Sequence, residues 1–120
     1  MAHPYHHALS SVKKYGGKVE DYIEVHSWFD QTKSHWADPR HRAVLHSSFG
    51  IFLSEQVFGK TITNSSGRVI PVRWIGEQHV VEDCGCIPTI ENWLEGLPLK
   101  PFMMKPQKLS QQLLEKEKEL

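Results

Sequence analysis

Proline and glycine cut this 120-residue chain at fixed points, and the cuts decide which stretches can be helical. Pro4 suits a first helical position and Gly16-Gly17 a stop, so they bracket a helix over Tyr5 to Tyr15. Asp38-Pro39 reads as an N-cap followed by a first-turn proline, and Gly59 closes a helix running from Arg40 to Phe58. Between them, Val19 to His35 has Glu20 and Asp21 at its N-terminal end, where acids suit the helix dipole. Tyr22, Val25, Phe29 and Trp36 approximate one apolar stripe along it, which predicts a second helix. In the later half of the third, Val44, Leu45, Phe49, Ile51, Phe52, Leu53, Val57 and Phe58 surround much of the circumference. That half is expected to be the most buried segment. Glu55 lies inside it, and a carboxylate there needs a histidine, an arginine or a metal as partner.

The pattern changes at Lys60. Thr61-Ile62-Thr63 and Val69-Ile70-Pro71-Val72 are β-type runs, and Asn64-Ser65-Ser66-Gly67 between them is a turn signal, so a hairpin is predicted. Pro71 places its second strand at an edge. A lone hairpin is not stable in water, so this one must lean on the helices. Arg73 to Cys86 reads as irregular or as a short helix. Thr89 caps a short helix over Ile90 to Leu94, and Pro98, Pro101 and Pro106 mark a linker. The fold class expected is α+β: three main helices, one β-hairpin and a short C-terminal helix. One domain spans residues 1–97, and residues 98–120 form a proline-containing linker and charged tail.

Composition bounds the function. Apolar residues make up 39% of the chain and charged residues 23%, which permits a small core in a marginally stable domain. Acidic and basic residues balance at 14 each, so a general nucleic-acid-binding charge excess is absent. Cys84-Gly85-Cys86 is spaced too tightly for an easy disulfide and lacks the Cys-x-x-Cys spacing of redox motifs. Neither a membrane-length apolar run nor a signal peptide is present, so a cytoplasmic protein without a membrane partner is expected.

Eight histidines stand in this chain, and most of them lie beside acids and arginines. The run Met1-Ala2-His3-Pro4-Tyr5-His6-His7 is interrupted by Pro and Tyr and reads as native sequence rather than as a tag. His26 and Asp30 are four apart and offer a nitrogen and an oxygen on one helical face. His41 and His46 are five apart, roughly 140° around a helix axis, so they do not easily point at one ion together. His7 can reach in from the first helix. The expected metal ligands are therefore His7, His26, Asp30, His41 and His46, a nitrogen and oxygen set suited to a divalent zinc, manganese or iron ion. Lys33, Arg40, Arg42 and Arg73 supply charge for a phosphate-bearing ligand, and Trp28 and Trp74 supply faces for a base. Glu77, His79, Glu82 and Asp83 form an acid–base loop, with Glu77 and His79 as the expected catalytic pair. The bland alternative is that these histidines cap helices, pair with acids or face water. No His-Glu-x-x-His motif is present.

The strings His3-Pro4-Tyr5-His6-His7-Ala8, Trp28-Phe29-Asp30, Asp38-Pro39-Arg40-His41-Arg42-Ala43, Gly50-Ile51-Phe52-Leu53, Thr61-Ile62-Thr63-Asn64-Ser65, Val72-Arg73 and Gly76-Glu77-Gln78-His79-Val80 belong to one pattern. It resembles a small uncharacterised histidine-rich domain family of bacteria and phages, over residues 3 to 95. That family has no assigned activity and supplies no catalytic residues. The resemblance implies a single cytoplasmic domain.

These readings combine into one expectation: a histidine-lined pocket between the second and third helices, roofed by the hairpin and the late loop. It would hold a metal ion with a phosphate-bearing nucleotide ligand beside it, and Arg42 or Arg73 would carry the phosphate charge. If it is an enzyme, metal-assisted hydrolysis of a phosphoester is the reaction. The rival expectation is a homo-oligomeric binding protein without chemistry. Such a protein sequesters a nucleotide immune signal or blocks a host defence protein.

Overall fold

The computed structural model describes residues 3–105; Pro106 and the charged end over residues 107–120 lie outside the described residues. The fold is α+β, with helices α1 (Pro4–Tyr15), α2 (Ile23–Phe29) and α3 (Ser48–Phe58), strands β1 (Thr61–Thr63) and β2 (Val69–Pro71), and helices α4 (Val72–Cys84), α5 (Ile90–Leu94) and α6 (Pro101–Met104). α1 follows its punctuation. The His3 ring accepts a hydrogen bond from the Tyr5 N–H (3.1 Å), Pro4 opens the helix, and Gly16, at φ 81°, closes it. No helix among the described residues is long and apolar enough to cross a membrane.

Two of the expected helices are broken. The Val19–His35 stretch divides into a 3-10 turn at Val19–Asp21, the seven residues of α2, and a second 3-10 turn at Gln31–Ser34. Thr32 Oγ1 donates to the His41 carbonyl (2.5 Å) and so draws the second turn onto the next segment. The Arg40–Phe58 stretch starts as a 3-10 turn, Pro39–Arg42, and the helix restarts only at Ser48. Ser47 causes the restart: its Oγ accepts from the Gly50 N–H (3.1 Å) and donates to the Val44 carbonyl (2.7 Å). Gly50 permits it, because a Cβ there would lie 1.9 Å from the Leu45 carbonyl oxygen.

The structure also has a fourth substantial helix, where an irregular stretch or a short helix was expected after Arg73. At 13 residues, α4 is the longest helix described. It begins directly after Pro71 with no side-chain cap, and its buried positions include Gly76, Gln78 and His79 beside Val72, Ile75 and Val80. Polar residues on the buried side hide the apolar period that would announce a helix. α4, rather than the later half of α3, is the central helix. Phe49, Phe52 and Val57 of α3 are about half exposed, and only Gly50, Ile51 and Ser54 are buried. Glu55 takes a lysine as its partner, Lys60 at 3.7 Å, where a histidine, arginine or metal was expected.

The hairpin forms as predicted, antiparallel with Thr61 opposite Pro71 and Ile62 opposite Ile70. It leans on the helices through its turn. Asn64 Nδ2 donates to the Tyr15 carbonyl (3.2 Å) and the Tyr22 hydroxyl (3.1 Å), while its Oδ1 accepts from the Ser66 and Arg68 N–H groups. Ile70 then joins a core of Ala8, Tyr22, Val25, Phe29, Leu45, Ile51, Ile75 and Val80.

Gly50→Ala is expected to lower stability by at least about 3 kcal/mol, because its Cβ would meet backbone that cannot move aside. Gly96→Ala, with nothing within 4 Å, is expected to be close to neutral. Urea unfolding midpoints of the two variants check the contrast.

Candidate metal centre

Four separate stretches of chain deliver ionisable side chains to one place. His7 comes from the first turns of α1. His26 and Asp30 come from α2 and its C-cap. His46 lies two residues before α3, with its carbonyl held by Trp93 Nε1 (2.8 Å). His79 and Asp83 lie one turn apart on α4. All four imidazoles are at most 1% exposed, and the Asp30 and Asp83 side chains only 5% and 3%. Burial of this many polar rings with two carboxylates is rare unless every member is paired or holds an ion.

The Nε2 atoms of three histidines converge on the two carboxylates. His46 Nε2 lies 2.9 Å from Asp83 Oδ2 and 3.6 Å from Asp30 Oδ1. His79 Nε2 lies 3.2 Å from each of those same oxygens. His7 Nε2 lies 3.1 Å from Asp83 Oδ1. In His7 and His79 the opposite ring atom points outward to a supporting group. His7 Nδ1 meets Glu82 Oε1 (2.8 Å), and His79 Nδ1 meets His26 Nδ1 (2.9 Å), whose Nε2 meets Ser11 Oγ (2.8 Å). One ring nitrogen inward and the other on an outer hydrogen bond is the usual arrangement of metal-ligating histidine.

Among the described residues, protein groups leave some buried polar atoms in and beside this cluster unpaired. A neutral imidazole has one N–H and one lone pair. His7 has a carboxylate at both nitrogens, so in neutral form it turns a lone pair on an anion. Burial pushes the His7 pKa down, but the hydrogen bonds to Asp83 and Glu82 outweigh it and hold the pKa above its ordinary value. Burial raises the Asp83 carboxyl, yet its bonds from His46, His7 and His79 hold it far below the usual carboxylate range. Burial, with His79 and His7 adding to it, drives His26 down to about 2, and burial also lowers His46 against the pull of Asp83. Among the described residues, Asp30 Oδ2, His46 Nδ1 and Arg42 Nε are buried without a hydrogen-bond partner. One donor atom from each of His7, Asp30, His79 and Asp83 falls within 4.8 Å of the others, and so does one from each of His7, His26 and His79. The cluster has the donor types and spacing to hold a metal ion.

The expected site residues divide in two. His7, His26, Asp30 and His46 are brought together, and His79, expected as a catalytic base, stands among them. His41 is buried at the rim, its ring 6.0 Å from that of His46 and its Nδ1 3.5 Å from Thr32 Oγ1. Arg42 reaches the centre from outside, with Nη2 3.8 Å from Asp83 Oδ1 and Nη1 donating to the Asp83 carbonyl (3.5 Å). Lys33 is exposed, and Arg40 is engaged by Asp38 (2.7 Å) and lies over Trp36. Trp28 packs edge-on against Phe29 and Phe58. Glu77 pairs with Arg73 (3.3 Å), and Trp74 lies against Tyr15; these three share a cavity of about 470 Å³ on the outer side of α4. They are not in the cluster. The histidines expected in a pocket between the second and third helices meet instead as a packed cluster among α1, α2, the His46 segment and α4, and the hairpin contributes no residue to the set named above.

Asp83 is the hub that the reading of a polar loop left among acid–base candidates, and Ser11 and Gln78 carried no signal at all. His79-x-x-x-Asp83 repeats the spacing of His26-x-x-x-Asp30. That repeat would have marked it, had residues 72–84 been read as a helix.

A family model described as a domain of unknown function, DUF6915, matches residues 2–103. The chain belongs to that family. No curated protein and no solved structure matches it.

His26 makes the metal-free DUF6915 domain acid-labile. Its pKa is about 2 when folded and near 6.5 when unfolded, so between these values the unfolded chain binds the extra proton and stability falls as pH falls. The loss from this one ring approaches at most about 1.4 kcal/mol per pH unit below 6.5. Urea midpoints taken between pH 7 and pH 5 are expected to drop, with a shallower drop in His26→Phe.

Proposed function

We propose that this domain binds a single first-row transition-metal ion through His7, His79, Asp30 and Asp83, with His46 held beside them on Asp83, and uses it to hydrolyse a phosphoester. The observation that carries the reading is the convergence of three buried Nε2 atoms on two buried carboxylates. Imidazole and carboxylate together favour zinc, manganese or iron over calcium. A bound ion would supply a water of lowered pKa and neutralise charge on a phosphoryl oxygen. Two groups of the chain suit that chemistry. Asp30 keeps one oxygen without a partner inside the site. Arg42, also with an unpartnered Nε, stands between Asp83 and the exterior, where a guanidinium can take a phosphate. The substrate class proposed is a small phosphate ester such as a nucleotide.

A second reading rests on the surface. Leu97, Leu99, Phe102 and Met104 are 55–79% exposed along one short stretch. Apolar surface of that kind suits a partner chain, whether another copy or a host defence protein. On that reading the ion is structural.

The protein as purified is expected to contain close to one equivalent of metal by elemental analysis, and Asp83→Asn and His79→Ala are expected to lose it. At metal concentrations near 100-fold over the dissociation constant, the melting temperature should rise by on the order of 10 °C. Metal-loaded protein is expected to cleave bis(p-nitrophenyl) phosphate, and Arg42→Ala to lower kcat about 100-fold while metal content is unchanged. Metal-free wild-type protein would overturn the metal reading. A loaded protein without turnover on phosphoesters would leave the structural ion and the binding surface.

A further inference from the structure

The hydrogen bonds behind His79 fix the direction in which its lone pair points. Gln78 Nε2 donates to the His7 carbonyl (3.0 Å) and faces Glu82 Oε1 (3.2 Å), both acceptors, so the amide has only one workable orientation. Its Oε1 then faces Ser11 Oγ at 2.8 Å and has to accept from it. Ser11 has a single hydroxyl proton, and the Gln78 oxygen, with the His7 carbonyl at 3.2 Å as the other acceptor beside it, uses that proton. His26 Nε2, 2.8 Å from the same oxygen, must therefore carry the proton and donate to Ser11. A neutral His26 is left with a lone pair on Nδ1, and among the described residues the hydrogen-bond partner of that atom is His79 Nδ1 at 2.9 Å, which has to donate. His79 in neutral form then presents the Nε2 lone pair to Asp30 and Asp83. A lone pair against two carboxylates is repulsive, and either a proton on Nε2 or a metal cation between them relieves it.

We propose that Gln78, Ser11 and His26 form a buried relay that locks His79 in the tautomer with Nε2 free for a metal ion, so that His26 is a positioning residue and not a ligand. The proposal rests on the metal reading above and adds an outer shell to it. It separates the imidazoles of the cluster into those that face the ion and one that serves another histidine. Each member is fully or nearly fully buried, with Ser11 and His26 at 0% and Gln78 at 5%, so water does not compete for these bonds. Outer hydrogen bonds of this kind commonly contribute 10- to 100-fold to metal affinity.

Cobalt(II) is the probe, since it reports coordination through its visible spectrum and X-ray absorption. In His26→Phe, which keeps a ring in place without hydrogen bonds, cobalt affinity is expected to fall about 10- to 100-fold. The number of imidazoles bound to cobalt is expected to stay at its wild-type value. Ser11→Ala frees His26 to take either tautomer, so it is expected to weaken binding as well, and the double variant to bind no worse than His26→Phe alone. Nitrogen-15 NMR of the zinc-loaded wild-type protein is expected to show His79 protonated at Nδ1. Ser11→Ala keeps the test open if His26→Phe does not fold. Unchanged affinity in both variants overturns the relay and leaves the metal reading intact, as does loss of one imidazole from cobalt in His26→Phe. Failure of the wild-type protein to take up cobalt overturns the metal reading, and the relay with it.

Discussion

The contact on which the rest of this domain depends is the Asp83 carboxylate with imidazoles from three other turns of the chain. His7 stands on one of its oxygens, and His46 and His79 share the other. A buried ion costs several kcal/mol to desolvate, and only pairing of good geometry offsets that. The pairing here is also topological. It joins residue 7 to residue 83, and it joins both to the segment before α3. Among the described residues the fully buried apolar cluster it accompanies has nine members, a small core for four short helices and a two-stranded hairpin. An ion in this position would act as a cross-link between distant parts of the sequence, and its binding free energy would be folding free energy.

The backbone irregularities make sense as consequences. α2 stops at Phe29, and its C-cap residue Asp30 turns inward. A continuous helix from Arg40 to Phe58 would spread His41 and His46 around its axis. The break at residues 43–47 instead places His46 in the centre and leaves His41 at its rim. That break needs Gly50, whose missing Cβ leaves room for the Leu45 carbonyl. Gly76 performs the same service for α4. A Cβ there would lie 2.9 Å from the Phe29 ring, and the close approach lets Phe29 stack on His79 at 5.1 Å. Two glycines in helices, each costly to helix propensity, are thus placed where the centre needs the backbone near.

Much of the fold was legible where a single local rule governed it. Pro4 with Gly16 set α1, the Asn64–Gly67 turn set the hairpin, and Thr89 set α5. Legibility failed where tertiary demand overrode local pattern. Val19 to His35 has helical periodicity, yet the chain tightens on both sides of α2. α4 escaped because Gln78 and His79 occupy buried positions that a reading by hydrophobic period assigns to water. The site followed the same division. His7, His26, Asp30 and His46 were legible as ligand types, since residue chemistry alone nominates them. Asp83 as a hub was not, because its role depends on a helix that the sequence left open between an irregular stretch and a short helix. Arg73, Trp74 and Glu77 were nominated by type too, but α4 turns them away from the centre, and type says nothing about which side of a helix a residue faces.

That separation bears on where a ligand would approach. α4 presents two faces of opposite character. One carries His79 and Asp83 inward with almost no exposure. The other carries Arg73 and Glu77, already paired to each other, beside Trp74 and Tyr15. A phosphate arriving on the outer face would meet a guanidinium committed to a carboxylate and would have a helix between it and the imidazoles. On the opposite rim, Arg42 keeps an unpartnered Nε, sits against Asp83, and is followed outward by His41 and the exposed Lys33. Positive charge there lies within a few ångströms of the carboxylates rather than across a helix, and electrostatic attraction in a poorly solvated site grows steeply at that range. The Arg42 rim is therefore where the chain's own positive charge lies nearest the buried carboxylates.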